Sequence, residues 1–284
     1  MTRTRMGLIS GIFVLAVGAV SAQTLPQPLP PRELDRLVER IALYPDPLLA
    51  QILAAATYAD QIPDACRWAD QHHYLADQAL ANAIQADQLP WDPSVQALLP
   101  FPSVLDTMAS DLIWTRSLGD AFLTQQPDVM DAVQRERKKA RDFGYLRSNR
   151  WIVVGGGPYI TILPVNPYFI TVPWYDPAIV FVPPEPGFMV GGAIRFGFGV
   201  SIGVVFRPWG WGFNRFDWGG HAVIINDVPW RRTWATRMTY AHPYTIRRVE
   251  GPRPAERHQL YERTPREREA PRRGERQREE HNRR

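Results

Sequence analysis

The stretch Tyr44-Pro45-Asp46-Pro47-Leu48-Leu49-Ala50-Gln51-Ile52-Leu53-Ala54-Ala55 contains a pattern that recurs through the first half of the chain. Asp46 is a residue type that commonly caps a helix, and Pro47 is well suited to a first helical turn. The apolar residues that follow recur at helical spacing. We therefore predict a helix that begins at Asp46, is capped by its side chain and buries one face.

Similar helix starts occur further along the chain. Trp91-Asp92-Pro93 predicts a helix over residues 94–99, Ser103 is a candidate cap for the next apolar stripe, and Pro127-Asp128 opens a helical stretch through Arg141. Apolar spacing also predicts helices near residues 34–41, 63–74 and 76–89. Together these segments predict six or seven helices packed into one helical domain.

The periodicity changes at Trp151. Residues 151–154 are suited to a strand, and the glycines at 155–157 with Pro158 indicate a turn. A pair of apolar residues separated by one position then recurs every ten residues, at Ile160 and Ile162, at Ile170 and Val172, and at Val180 and Val182. This repeat predicts three short strands in a small meander. We therefore expect an α+β protein, with a Pro/Gly-punctuated antiparallel β-module after the helices.

A longer alternating stretch follows. From Ile194 to Phe206, bulky apolar residues alternate with residues that include three glycines, and we expect one strand over this whole stretch. A further strand is predicted at Val223–Ile225.

The two ends of the chain have different compositions. Arg3 and Arg5 precede an apolar run over residues 8–20, and Val20-Ser21-Ala22 is suited to signal-peptide cleavage. We expect export to the periplasm or cell envelope with cleavage near Ala22. The organisation predicted from these patterns is a signal peptide at 1–22, a Pro-rich leader at 23–31, a helical domain at 32–147, a β-repeat module at 148–186, a Gly/aromatic-rich β region at 187–246 and a disordered Arg/Glu/Pro-rich tail at 247–284.

The formal net charge of +4 conceals an uneven distribution. Residues 33–131 carry fifteen acidic and four basic side chains, whereas residues 135–150 carry two acidic and seven basic ones. These segments could orient the chain on an anionic envelope surface or attract each other, and charge alone does not choose between the two. Peripheral membrane association is therefore one expectation, while nucleic-acid binding is not expected. The oligomeric state is left open.

No motif in the chain predicts a catalytic, cofactor or metal site. Gly199-Val200-Ser201-Ile202-Gly203 matches the nucleophile-elbow pattern, but it lies within a predicted strand rather than at a strand-to-helix turn. Asp70, His73 and Asp77 would share a helix face, yet they lie where ordinary surface side chains are expected. Cys66 is the single cysteine, so an intrachain disulfide is ruled out, and a small buried side chain is expected.

Aromatic side chains are the best candidates for a functional surface. Their rings combine an apolar face with a polar edge and can bind a glycan, an extended chain or a lipid interface, although they can equally fill a small β-core. The candidates for this interaction surface are Trp174, Tyr175, Trp209, Trp211 and Trp218.

Three functions are compatible with these features. The first is a non-catalytic binding or scaffolding module that engages an envelope protein or polymer. The second is a cell-wall hydrolase that uses carboxylates of the helical domain, such as Asp46, Asp70 or Asp92. The third is a membrane-inserting protein that uses the Gly-alternating segment Gly191 to Phe206, although a single such segment is too few for a closed barrel.

Two motifs carry a resemblance to a known family. The stretch at 44–55 with Trp68 downstream, followed by residues 160–167 and by Val172-Pro173-Trp174-Tyr175-Asp176-Pro177, resembles the domain-of-unknown-function family 3300. The resemblance covers roughly residues 32–185. It implies export in a Gram-negative bacterium and supports the predicted domain boundaries, but the family has no established activity or catalytic residues, so it implies no site.

Overall fold

The computed structural model of the chain describes residues 25–187 and 190–242, so the predicted signal peptide at 1–22 and the predicted tail at 247–284 lie outside the described residues. The described helices are α1 (Pro31–Val38), α2 (Asp46–Ala56), α3 (Ile62–Gln71), α4 (Asp77–Ala86), α5 (Pro93–Gln96), α6 (Pro102–Ser110), α7 (Leu112–Thr124), α8 (Gln126–Asp142) and α9 (Pro177–Val180). The described strands are β1 (Ile152–Val154), β2 (Ile162–Pro164), β3 (Phe169–Tyr175), β4 (Ile194–Ser201), β5 (Arg215–Asp217), β6 (Ala222–Ile225) and β7 (Val228–Trp230). The predicted α+β class, with helices first and small antiparallel sheets after them, is confirmed.

Helix α2 is almost entirely buried, and it contacts α5 and α7. Helix α1 lies against α8, α3 against α6, and α2 against α7. Gly119 allows α7 to lie very close to α2, because a Cβ at this position would be 2.1 Å from the carbonyl oxygen of Ala56. The small residues of α2 and α7 thus let two backbones approach directly.

The predicted helix starts lie close to the observed ones, but only some of the predicted side-chain caps are present. Helix α2 begins at Asp46, yet the prediction that the Asp46 side chain caps it is wrong, because that carboxylate is buried and bonded elsewhere. Ser103 does not cap α6 either, since that helix begins one residue earlier at Pro102. The Asp92 prediction is confirmed: its side chain accepts a hydrogen bond from the Ser94 amide at 2.9 Å.

The strands form three small antiparallel sheets. One pairs β1 with β2, a second pairs β3 with β4, and the third has the order β5-β6-β7. In the second sheet Phe169 lies opposite Ser201 and Tyr175 opposite Ile194, with an irregularity in register between Thr171 and Pro173. Strand β6 confirms the strand predicted at Val223–Ile225, whereas β5 and β7 were not predicted.

Two strand predictions are wrong. Val180 ends the short helix α9 instead of forming a third strand, because Asp176 accepts a hydrogen bond from the Ala178 amide and so caps a helical turn. The strand predicted over 194–206 ends at Ser201. A 3₁₀ helix at Val204–Trp209 follows the strand. The apolar alternation in the sequence therefore continues past the end of the strand that it predicts.

The helices and the sheets bury side chains in one continuous apolar cluster. Its members include Leu48 from α2, Val133 from α8, Ile162 from β2 and Val223 from β6. The domain boundaries given above stay predictions. Among the described residues, no helix has both the length and the apolar content needed to cross a membrane.

Candidate functional site

Four of the five aromatic residues predicted as an interaction surface lie in the interior. Tyr175 donates its hydroxyl to the Glu39 carbonyl at 2.8 Å, Trp209 donates to Gln96 Oε1 at 2.9 Å, and Trp211 donates to the Ala97 carbonyl at 2.8 Å. Trp218 is also buried. These four rings contribute to the core and do not form one exposed patch with Trp174.

Trp174 is the exposed member of the set, with 64% of its surface accessible. It lies on β3 directly opposite Arg195 of β4, whose guanidinium is 5.4 Å from the centre of its ring. This contact holds a flat ring against a cation at the surface of the second sheet. The role of Trp174 in binding stays a prediction.

Strand β4 supplies the rest of the candidate site. Six of its eight residues pair with residues of β3 along one side, Gly197 and Phe198 lie at the irregularity in register, and no other strand of the described chain pairs with its outer side. We call this outer side the β4 edge. Phe198 in the middle of β4 is 98% exposed, and Phe169 on β3 is about half exposed. Apolar rings and a backbone edge with hydrogen-bonding capacity are thus exposed together.

Strand β4 contains two glycines, and the space beside them differs. A Cβ at Gly197 would meet no atom within 4 Å, so the surface there is open. At Gly199 a Cβ would lie in ordinary contact with Phe169 and Thr171. Sequence reasoning noted these glycines but did not select Phe198, because the alternation assigns it to the same bulky face as residues that the structure buries, such as Ile202 and Phe206.

The aspartates considered for hydrolysis occupy three different environments. Asp46 is buried against Arg137, with Arg137 Nη1 2.6 Å from Asp46 Oδ1. Burial raises the pKa of Asp46, and the guanidinium opposes that shift. Asp70 is exposed near the end of α3, close to Cys66 and Asp106. The three carboxylates thus have different neighbours, which are Arg137 for Asp46, Cys66 and Asp106 for Asp70, and His242 for Asp92.

Asp92 is part of a largely buried polar cluster. Its carboxylate is 2.7 Å from His242 Nε2 and accepts hydrogen bonds from the amide and hydroxyl of Ser94. Burial alone would raise the pKa of Asp92, but the hydrogen bonds and the nearby histidine outweigh it, so the pKa is lowered. Arg232 covers the ring of Tyr58 beside this cluster, at 3.6 Å from the ring centre. These contacts join residues 230–242 to the helical part.

One group of side chains has the spacing of metal ligands. Cys66, Asp70 and Asp106 place one ligand atom each within 4.8 Å of one another. The Cys66 thiol is 3.2 Å from Asp106 Oδ1, and burial together with that carboxylate raises its pKa to about 12. A thiol that stays protonated is a poor metal ligand, because metals bind the thiolate. The expectation that Asp70, His73 and Asp77 share a helix face is wrong, because α3 ends at Gln71 and Asp77 begins α4; His73 and Asp77 are not part of this group.

The chain is similar to a known family and to a bacterial protein. A family model described as "Protein of unknown function (DUF3300)" matches residues 30–248. "Uncharacterized protein YacH" of Escherichia coli (strain K12) is 32% identical over 217 residues, a match that covers 61% of this chain and 35% of YacH. The chain thus spans about a third of the length of this relative. No solved structure matches the chain.

Proposed function

This chain belongs to the DUF3300 family, and because the function of that family is unknown, we propose one from the molecule's own surface. We propose that the protein is a non-catalytic binding module of the cell envelope. It takes up an extended segment of another envelope protein as an additional strand along the β4 edge.

The observation that carries this proposal is the free outer side of β4. A strand with an unpaired side presents a row of amide and carbonyl groups that can pair with another chain, and proteins usually cover or shorten such edges. Strand β4 is eight residues long and carries no charged side chain between Phe196 and Ser201. Its edge therefore keeps the features that favour strand addition.

The exposed rings supply side-chain contacts for the same partner. Phe198 is almost fully exposed in the middle of β4, and Trp174 with Arg195 lies near its start. Tryptophan, tyrosine and arginine are enriched among the residues that dominate binding energy at protein interfaces, and aromatic rings bury a large area with few rotatable bonds. A strand added to β4 would lie directly beside Phe198 and Arg195, while Trp174 lies one strand further away on β3.

Two alternatives remain as outcomes of the test. Membrane insertion through residues 191–206 would need a strand of about 9–11 residues for one crossing, whereas β4 has eight and a 3₁₀ helix follows it. Hydrolysis by Asp46 or Asp92 would need a carboxylate that substrate can reach, whereas Asp46 is buried against Arg137 and Asp92 is largely buried against His242. Asp70 is exposed, but its neighbours are Cys66 and Asp106 and not the other two candidates. Both considerations favour the binding proposal.

The proposal is tested by photo-crosslinking in a Gram-negative host that expresses the full chain. A photoreactive phenylalanine analogue replaces Phe198 and, as a matched control, Ile113 on α7, which is 79% exposed and distant in sequence from β4. We expect defined protein adducts from position 198, reduced in a Trp174→Ala background and absent from position 113.

Other outcomes would overturn the proposal. Lipid adducts from position 198, together with resistance of the protein to alkaline carbonate extraction, would establish membrane insertion instead. Identical adduct patterns from positions 198 and 113 would show that β4 has no specific partner. Peptidoglycan turnover by the purified chain that is lost in Asp92→Asn would establish the hydrolase alternative.

A further inference from the structure

A pocket lies at the start of β4, between that strand and the end of α8. Its volume is about 240 Å³. The apolar part of its lining comes from side chains on both sides, namely Leu146, Ile152, Val190, Ile194 and Phe196. Ile194 and Phe196 are alternate residues of β4 and thus lie on one face of the strand. The pocket is large enough to admit an apolar side chain.

The polar part of the lining has an unbalanced charge. Arg147 is the one charged residue among the lining residues, and no carboxylate accompanies it. Its guanidinium lies across Gly144, where a Cβ would be 2.9 Å from Arg147 Nη2. Within the part of the chain that the structure describes, this guanidinium makes no ion pair. The pocket therefore presents a cation without a counter-charge.

Two other polar side chains of the lining accept hydrogen bonds from backbone amides through their oxygen atoms. Asn149 Oδ1 accepts hydrogen bonds from the amides of Trp151 and Ile152, and the Ser148 hydroxyl accepts one from the Val154 amide. These contacts shape the turn into β1 and fix the backbone that carries Arg147. Arg147 is the charged side chain of the lining that can bind an anion.

A glycine pair completes the pocket immediately before β4. Gly191 and Gly192 line it, and a Cβ at either position would meet no atom within 4 Å. Gly192 has φ +86°, a backbone conformation that side chains disfavour. Exposed backbone amides of such glycine turns can approach a carboxylate closely.

The direction of β4 determines which end of an added strand reaches this pocket. Antiparallel pairs outnumber parallel pairs in sheets. In an antiparallel arrangement, the last residues of the added strand lie beside Ile194, at the pocket, while its earlier residues run toward Ser201. The terminal side chain would then point to the face that Ile194 and Phe196 share.

We propose that the β4 edge binds the C-terminal segment of its partner, with the free carboxylate held by Arg147 and the Gly191–Gly192 backbone and the last, apolar side chain in the pocket. This inference rests on the proposed function and specifies the partner's chemistry. Strand addition combined with capture of a terminal carboxylate is an established mode of peptide recognition, and here the edge, the cation, the glycine turn and the apolar pocket occur together.

The test uses two peptide libraries and the full chain. Both contain the same random decapeptides attached through their N-termini, one with a free C-terminal carboxyl group and the other amidated. We expect the protein to select free-acid peptides that end in an aliphatic residue. For a selected peptide, amidation should weaken binding about tenfold or more, because it removes a charge-assisted hydrogen bond.

Variants separate this inference from the proposed function. Arg147→Ala should weaken free-acid binding by the same factor as amidation and leave amide binding unchanged, Arg147→Lys should restore part of the affinity, and Arg150→Ala is the matched control. Phe198→Asp should abolish binding of both forms. Equal binding of acid and amide that is lost in Phe198→Asp would overturn the carboxylate inference and keep strand addition. Failure of every peptide to bind in a Phe198-dependent way would overturn both.

Discussion

Replacing Arg137 by methionine should destabilise the protein more than any substitution of an exposed residue on α8. The guanidinium is fully buried and donates four hydrogen bonds. It bonds the Ala42 carbonyl at 2.8 Å, Asp46 Oδ1 at 2.6 Å, the Ile160 carbonyl at 2.9 Å and the Tyr44 carbonyl at 3.0 Å. One side chain therefore connects the turn before α2, helix α8 and the segment that leads into β2.

The expected magnitude follows from the groups left without partners. Removing one member of a buried ion pair costs about 3–5 kcal/mol, because the remaining charge is uncompensated. Three carbonyl oxygens also lose a donor, and each loss adds up to about 1 kcal/mol. We expect Arg137→Met to reduce the free energy of unfolding by about 5 kcal/mol, a large part of the roughly 5–15 kcal/mol available to a domain.

Urea unfolding of the full chain at pH 7, followed by circular dichroism and tryptophan fluorescence, measures this loss. Trp218 reports on the site directly, since Arg137 lies 5.0 Å from its ring centre. The control is Lys138→Ala on the same helix, whose exposed ion pair with Asp142 should contribute about 0.5 kcal/mol or less.

A second substitution tests the reason for the loss. Asp46→Asn should destabilise the wild-type chain, but in the Arg137→Met background it should restore stability, because it removes the uncompensated charge. The reasoning would be refuted if Arg137→Met cost less than about 1 kcal/mol, as Lys138→Ala should, or if Asp46→Asn destabilised both backgrounds equally.

Three further predictions follow from close contacts and titrations. Gly119→Ala should lower the free energy of unfolding by about 1–3 kcal/mol in urea titrations despite the better helix propensity of alanine, because its Cβ would overlap the Ala56 carbonyl; an unchanged midpoint would contradict the close packing of α2 and α7. Cys66 should react with a thiol reagent at pH 8 much more slowly than free cysteine, since its pKa is raised to about 12, and a rate equal to that of free cysteine would contradict this. The pKa of Asp92 is lowered from 3.8 in the folded chain, so the contribution of its carboxylate to stability should be complete above pH 3.8 and lost as pH falls through the lower folded pKa. The difference in unfolding free energy between wild type and Asp92→Asn should therefore shrink below about pH 4. A difference that stays constant down to about pH 2 would contradict the lowered pKa.

The helical part of the fold was largely predictable because its signals are local. Proline punctuation and apolar spacing gave the positions of α1 to α6 and of α8 within a few residues, whereas α7 was not predicted, and the Asp92 cap was predicted correctly. The Asp46 cap was not, because its carboxylate pairs with a residue 91 positions away. A sequence window around Asp46 contains no sign of that partner.

The β part was harder to predict, because the same local sequence pattern can occur in a strand or turn and in a short helix. An Asp-Pro pair favours a turn as well as a helix start, and Asp176-Pro177 begins α9 just as Asp92-Pro93 begins α5. The alternation from Ile194 to Phe206 gave no indication of the 3₁₀ helix at Val204–Trp209, where Pro208 also interrupts the strand pattern.

For the candidate site, the sequence predicted the type of residue involved but not which residues are exposed. Sequence reasoning identified aromatic rings as candidate contacts, but burial depends on packing between distant segments, and it separates Trp209 and Trp211 from Trp174. Whether a strand has one neighbour or two is likewise a property of the whole sheet. The β4 edge and the pocket beside Arg147 therefore needed the structure.

The bonding of Asp46 also constrains the order in which the chain can fold. Asp46 receives Arg137 from 91 residues downstream and the Ile162 amide, at 3.4 Å, from 116 residues downstream. Until both segments are in place, the carboxylate keeps its hydration shell and the centre of the helical bundle stays open. Helices α1 to α7 can form early, but closure waits for β2, so a chain truncated between α8 and β2 would remain a substrate for chaperones and proteases.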